Sequence, residues 1–198
     1  GIQVIDGDIL PTPTVLFAVR TEKYDGAIII TASHNPIEYN GLKFVTHTAL
    51  FTNEDEVANI QKRYGENKNT ETIEKGTVTE NTTLGQEHIS EIITHINSEK
   101  IRARKFKVAV DMINASACVL DPLLFEALGV ELIPLNNIPN GKFAHKPEPL
   151  RENLADIAQL VKESGADIGF AQDPDADRLV VIDRYGEIIS EEYTLALG

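Results

Sequence analysis

The 198-residue chain contains one cysteine, one methionine and no tryptophan. With Cys118 alone, no disulfide can form within the chain, so a packed core has to hold the fold, and this usage suits a reducing cytoplasm. No apolar run approaches the roughly 20 residues that span a bilayer, and no signal-peptide pattern opens the chain. Positive charge is scarce too. The chain has 18 Lys and Arg against 31 Asp and Glu, a formal net charge of -13, and so lacks the basic composition of a general nucleic-acid binder. The acidity reads as a solvated surface. A hydrophobic share of 42% is enough to build a core in one large domain or two small ones.

The stretch Ala27–Lys43 organises the chain. Ala27 to Ile30 read as a buried strand. Thr31, Ser33, His34 and Asn35 then crowd two hydroxyls, an imidazole and an amide into one loop closed by Pro36. A rigid strand that delivers reactive groups to a loop is a common way to build a site. Ser33 is the candidate nucleophile or phosphate carrier.

Strands and helices alternate around this loop, which predicts an α/β fold. Residues 2–5 read as a strand. Thr12 followed by Pro13 reads as a helix start with the Thr12 hydroxyl as N-cap. Leu42–Val45 reads as the next strand. Asn53 with Glu56 forms a capping box for a helix that buries Val57, Ile60 and Tyr64. Residues 65–83 read as a surface loop with an edge strand near Thr77–Thr79, and Ile89, Ile92, Ile93 and Ile96 mark an amphipathic helix. Ser98–Lys105 reads as a connector and domain boundary. The alternation then restarts. Phe106–Asp111 is a strand, Asp121-Pro122 opens a helix that ends at Gly129, and Val130–Leu135 is a strand. A loop over Asn136–Pro149 leads to a helix on Leu154, Ile157, Ala158 and Val161 that ends at Gly165. Strands follow at Ile168–Ala171, Leu179–Asp183 and Glu187–Ser190. Gly1-Ile-Gln-Val-Ile and Gly129-Val-Glu-Leu-Ile begin two similar units, a weak internal repeat. The chain opens inside a strand pattern without an initiator Met and stops in a helix-like run, Glu191–Leu197, so the expectation is a fragment of a longer protein.

The second constellation, Asp173-Pro174-Asp175-Ala176-Asp177-Arg178, occupies in its unit the place that the Ser33 loop holds in the first. Three carboxylates at alternate positions repel one another, and a hard divalent cation relieves that repulsion. A solvated acidic turn is the plain alternative. An EF-hand loop is excluded, because its sixth and twelfth positions would be Arg178 and Arg184 where Gly and Glu belong. A serine hydroxyl needs activation. A phosphorylated Ser33 would carry close to two negative charges, and a cation held by the aspartates could take one of its phosphate oxygens. Lys43 and Arg178 could neutralise developing phosphoryl charge, and His34 could carry a proton.

Thr31-Ala-Ser-His-Asn-Pro with Asn40-Gly-Leu-Lys43, then Lys146-Pro-Glu-Pro-Leu-Arg-Glu-Asn-Leu154, then Asp173–Arg178 resemble in order and separation the motifs of the α-D-phosphohexomutases. The resemblance covers essentially the whole chain. It implies two similar three-layer α/β/α domains with mixed sheets, phosphoglucomutase-like: residues 1–100 as the later part of domain 1, 101–193 as domain 2, and 194–198 as the start of a third domain absent here, with a fourth beyond it. It implies an isomerase that moves a phosphoryl group between O1 and O6 of a hexose or hexosamine phosphate through a sugar bisphosphate. Ser33 is then the phosphoserine. Asp173, Asp175 and Asp177, with an oxygen on Ser33, hold Mg²⁺, and His34, Lys43 and Arg178 surround the reaction centre. The expected partners are a sugar phosphate and domains 3 and 4 of the same chain, with no nucleic acid and no membrane, in the cytoplasm. Phosphoglucosamine mutase is the first expectation. Phosphomannomutase/phosphoglucomutase, a metal-dependent phosphatase and a non-catalytic metal-binding module are the alternatives. Alone, the fragment is expected to turn over sugar phosphate poorly. Pro174 and Ala176 stand where the family's loop usually carries glycines, and Asn114-Ala115-Ser116 lacks the glycine that often follows the strand at Asp111.

Overall fold

The computed structural model describes residues 1–66 and 75–197. The middle of the expected 65–83 loop, residues 67–74, and the terminal Gly198 lie outside the described residues. The first unit holds β1 (Val4–Asp6), α1 (Thr12–Glu22), β2 (Gly26–Ile30), β3 (Leu42–Thr46), α2 (Glu54–Gly65), β4 (Val78–Glu80) and α3 (Leu84–His95). Then come α4 (Ser98–Arg104), β5 (Lys107–Asp111), α5 (Ala117–Ala127), β6 (Glu131–Leu135), α6 (Ala155–Ser164), β7 (Ile168–Gln172), β8 (Leu179–Asp183), β9 (Ile188–Ile189) and α7 (Glu191–Leu197).

The second unit is a three-layer α/β/α structure on one five-stranded mixed sheet of order β6-β5-β7-β8-β9. β5 is flanked by parallel β6 and β7, and β8 and β9 continue antiparallel. One face packs on α6 and its N-cap Leu154, with Leu154, Ile157 and Val161 against Ala109, Ala171, Val180 and Ile182. The other packs on α5 through Ala117, Cys118 and Phe125 against Val108, Val110 and Phe170. Each fully buried Leu, Ile or Val is worth about 1.5–3 kcal/mol. β6 tolerates Pro134 because it is an edge strand. The connections from β5 to β6 and from β6 to β7 place β7 on the opposite side of β5, so the carboxyl ends of β5 and β7 form a topological switch point where open α/β sheets bind ligands.

The first unit repeats the same path with shorter sheets. Helix, left-handed turn, strand, loop and antiparallel strand run through α1, Lys23, β2 and β3, and again through α6, Gly165, β7 and β8. The internal repeat therefore extends to backbone conformation. β1 pairs in parallel with β4, and β2 pairs with β3, as two separate two-stranded sheets among the described residues.

Several sequence expectations change. β2 is not a buried strand: Ile29 is buried, but Ile28 and Ile30 are 61% and 70% exposed. The connector Ser98–Lys105 is mostly helix α4, started by Asn97, whose side chain accepts from the Lys100 amide. α5 begins at Ala117 and carries Pro122 inside it, so Asp121-Pro122 is not its start. The Asn53–Glu56 capping box is present, yet Tyr64 is 89% exposed and only Val57 and Ile60 are half-buried. The residue at the N-cap of α1 is Pro11, and Thr12 is the first helical residue.

Candidate active site

The two polar loops meet. The Ser33 loop connects β2 to β3, and the aspartate loop connects β7 to β8 at the switch point. Ser33 adopts a left-handed backbone (φ 52°), a conformation that costs a non-glycine residue energy and is found at functional sites. The turn is held by the Thr31 hydroxyl, which accepts from the Ser33 amide, and by Ala32, whose carbonyl accepts from the Asn35 amide and side chain. The Ser33 hydroxyl donates to Asp173 Oδ2 across the two units at 3.3 Å and lies 3.4 Å from His34 Nδ1.

The aspartate loop is also built from within. Asp173 Oδ1 accepts from the amides of Asp177 and Arg178, at 3.1 and 3.0 Å. Ala176 takes the left-handed conformation (φ 54°) that a glycine would adopt without cost, so its methyl group is accommodated with some strain. At the N-cap of α5, the Ser116 amide and hydroxyl both donate to the Pro174 carbonyl. Ala115, where the family's glycine is missing, needs no left-handed backbone; Ile113 and Asn114 adopt it instead.

One ligand atom each from Asp173, Asp175 and Asp177 can be chosen so that all lie within 4.8 Å of one another. Asp173 and Asp175 are buried. The Lys43 ammonium bridges Asp175 Oδ2 at 2.5 Å and Asp177 Oδ2 at 3.0 Å. Burial pushes the Asp173 carboxyl up to about 7, reinforced by the charge of Asp175. Burial also opposes ionisation of Asp175, but hydrogen bonds from Lys43, Asp173 and Thr12 outweigh it and hold that carboxyl below its usual range. Asp175 Oδ1 is buried and has no hydrogen-bond partner among the described residues. An orphaned carboxylate oxygen inside an all-oxygen cluster is what a hard divalent cation would satisfy, so the residues fit such an ion.

The structure thus brings together Ser33, His34, Lys43, Asp173, Asp175 and Asp177. Arg178 joins through its amide; among the described residues its guanidinium makes no hydrogen bond or ion pair. Sequence reasoning missed Thr12, whose hydroxyl donates to Asp175 Oδ2 at 2.9 Å and whose amide donates to the Asp175 carbonyl at 2.9 Å. Thr-Pro at a helix start pointed to capping, and nothing local reports a partner 163 residues away. It also missed His145, whose Nε2 lies 3.0 Å from buried Asp111 Oδ2 and so ties the 136–149 loop to the end of β5.

Fold and site define an α/β protein of two similar units that sets a serine hydroxyl against a carboxylate cluster. Residues 86–186 match the family described as phosphoglucomutase/phosphomannomutase, alpha/beta/alpha domain II, and residues 1–71 match its alpha/beta/alpha domain I. The chain belongs to this family. It is 35% identical over 195 residues to the phosphoglucosamine/phosphogalactosamine mutase of Sulfurisphaera tokodaii, covering 95% of this chain and 42% of that protein. It is 36% identical to the phosphoglucomutase/phosphomannomutase of Thermococcus kodakarensis, covering 100% and 44%. The crystal structure of a phosphoglucomutase/phosphomannomutase family protein from Burkholderia thailandensis superposes with a TM-score of 0.83 at 33% identity, covering 100% of this chain and 43% of that one. The chain therefore spans less than half the length of these relatives. No helix among the described residues is long and apolar enough to cross a membrane.

Proposed function

We propose that this chain supplies the phosphate-carrying and metal-binding halves of a phosphohexomutase site, with phosphoglucosamine mutase ahead of phosphomannomutase/phosphoglucomutase. The observation that carries the reading is the Ser33 hydroxyl hydrogen-bonded to Asp173 of the other unit. His34 Nδ1 lies beside the hydroxyl as well, but a serine that needed only a base would have no use for three carboxylates across from it, whereas a phosphate carrier needs the cation they could hold. Ser33 would carry the phosphoryl group, and Asp173, Asp175 and Asp177 would hold Mg²⁺, which when bound polarises phosphorus and offsets charge on its oxygens.

In the forward half-reaction the phosphorus–oxygen bond to Ser33 Oγ breaks as one forms to a free hydroxyl of the sugar monophosphate. That hydroxyl gives up its proton, which His34 would hold. The sugar bisphosphate turns over in the site, Ser33 Oγ attacks the other phosphoryl group, the phosphorus–oxygen bond to the sugar breaks, and that sugar oxygen takes the proton back from His34, so the carrier is regenerated and the isomeric monophosphate leaves. Lys43 would order the two aspartates before the charge develops, and the guanidinium of Arg178, unpaired among the described residues, would be available to phosphoryl oxygens. Residues 1–100 would then serve as part of domain 1 and 101–193 as domain 2, with residues 194–198 leading into domains 3 and 4, which would read the sugar, and with activity in the cytoplasm. Assay of the full-length protein against glucosamine, mannose and glucose phosphates tests the reading. Turnover of one of them that is lost in Ser33→Ala supports it. Hydrolysis of simple phosphate esters that survives Ser33→Ala and is lost in Asp175→Ala would replace it with a phosphatase.

A further inference from the structure

We infer that Thr12 is a positioning residue for the cation site: together with Lys43 it occupies Asp175 Oδ2, so that Asp175 meets a divalent cation through Oδ1 alone. The inference rests on the reading of Asp173, Asp175 and Asp177 as a cation site. Four observations carry it. The Thr12 hydroxyl donates to Asp175 Oδ2 at 2.9 Å. The Lys43 ammonium donates to the same oxygen at 2.5 Å. The other oxygen, Oδ1, is buried without a partner among the described residues. The Thr12 amide donates to the Asp175 carbonyl at 2.9 Å, so backbone and side chain of one residue grip both ends of Asp175.

A carboxylate with both oxygens free can rotate and ligate through one or both. Here a hydroxyl and an ammonium hold one oxygen, which fixes the plane of the group and leaves a single lone-pair-bearing atom facing the cluster. Hydrogen-bond partners behind a ligand set its orientation in this way, and losing one typically costs about 10–100-fold in metal affinity. Thr12 is only 1% exposed, so water does not replace its hydroxyl without rearrangement. Because Thr12 opens α1, the helix that leads to β2 and the Ser33 loop, the same contact ties the first unit to the aspartate loop of the second.

The chain contains its own control. Thr14 lies two residues along the same helix and is equally buried, but its hydroxyl pairs with His88 Nδ1 of α3 at 2.9 Å, away from the cluster. Mn²⁺ binding, followed by the loss of the free-ion electron paramagnetic resonance signal, reads the site without any turnover. Thr12→Val is expected to raise the Mn²⁺ Kd by about 10–100-fold. Thr12→Ser, which restores the hydroxyl, should return it to within a few-fold of wild type. Thr14→Val should lower the melting temperature as much as Thr12→Val while leaving the Mn²⁺ Kd unchanged. An unchanged Kd in a folded Thr12→Val chain overturns the positioning role and leaves the cation site standing, as does a Thr14→Val chain that loses affinity equally. Wild-type chain that binds no Mn²⁺ overturns the cation site and the inference with it.

Discussion

Lys43→Met is the most informative perturbation of the ion-free chain. Lys43 is the one cation in contact with Asp175 and Asp177 among the described residues, and its side chain is 25% exposed while that of Asp175 is 4% exposed. Removing it leaves three carboxylates facing one another with no positive charge between them. A fully buried pair broken on one side costs about 3–5 kcal/mol, and an exposed pair less than about 1 kcal/mol. One partner here is buried and the other half-buried, so about 2 kcal/mol is expected. For a chain of this length that corresponds to a fall of about 4–8 °C in melting temperature. A divalent cation supplies the missing charge, so millimolar Mg²⁺ should at least halve the deficit. Thermal unfolding of wild type and Lys43→Met, each with EDTA and with Mg²⁺, reads all four values. A variant that melts with wild type in EDTA, or one whose deficit is identical with and without Mg²⁺, would refute the claim that Lys43 and a cation neutralise the same cluster.

Asp173, with its carboxyl raised from 3.8 to about 7, keeps its proton in the folded state while the unfolded chain loses it. The stability this group contributes is complete below about pH 4 and disappears as pH rises through about 7. Mg²⁺ must displace that proton, so calorimetric titrations in buffers of different ionisation enthalpy should show proton release at pH 6 that fades by pH 8. Burial opposes the charge on His145, but its hydrogen bond to Asp111 prevails and raises the imidazole above 6.5. Its contribution is therefore present below pH 6.5 and lost as pH rises through the folded-state value; the melting temperature of wild type should fall toward that of His145→Gln between pH 6 and pH 9. Gly169→Ala would bring a methyl group to 2.4 Å from Val161 Cγ2 and 3.2 Å from Ile182 Cβ. Neither branched chain can swing away, so a loss of about 1–3 kcal/mol is expected in urea unfolding.

Both polar loops of the candidate site were legible because each interrupts an apolar run with several polar groups in sequence, a pattern that depends on no distant partner. The capping box at Asn53 and Glu56 was legible for the same reason: its two hydrogen bonds close within four residues. Helix α4 was not, since Ser-Glu-Lys-Ile-Arg-Ala-Arg has almost no apolar face and declares itself only through the Asn97 cap. In α5, Pro122 suggested a helix start, whereas the true first turn is made of the small buried residues Ala117 and Cys118. β2 read as buried from its three isoleucines, yet only one of its faces is covered among the described residues. The contact between the two units was the least legible feature. Thr12, Ser33 and Lys43 find their aspartates 163, 140 and 132 residues away, and only the folded geometry reports those pairings.

In the proposed function Ser33 carries a phosphoryl group opposite the aspartate cluster. Intact-mass measurement of the full-length protein after incubation with a hexose bisphosphate and Mg²⁺ tests it most directly. The expected result is a gain of one phosphoryl group that maps to Ser33 and is absent from Ser33→Ala. A protein that gains no phosphoryl group, or gains one that persists in Ser33→Ala, would contradict it.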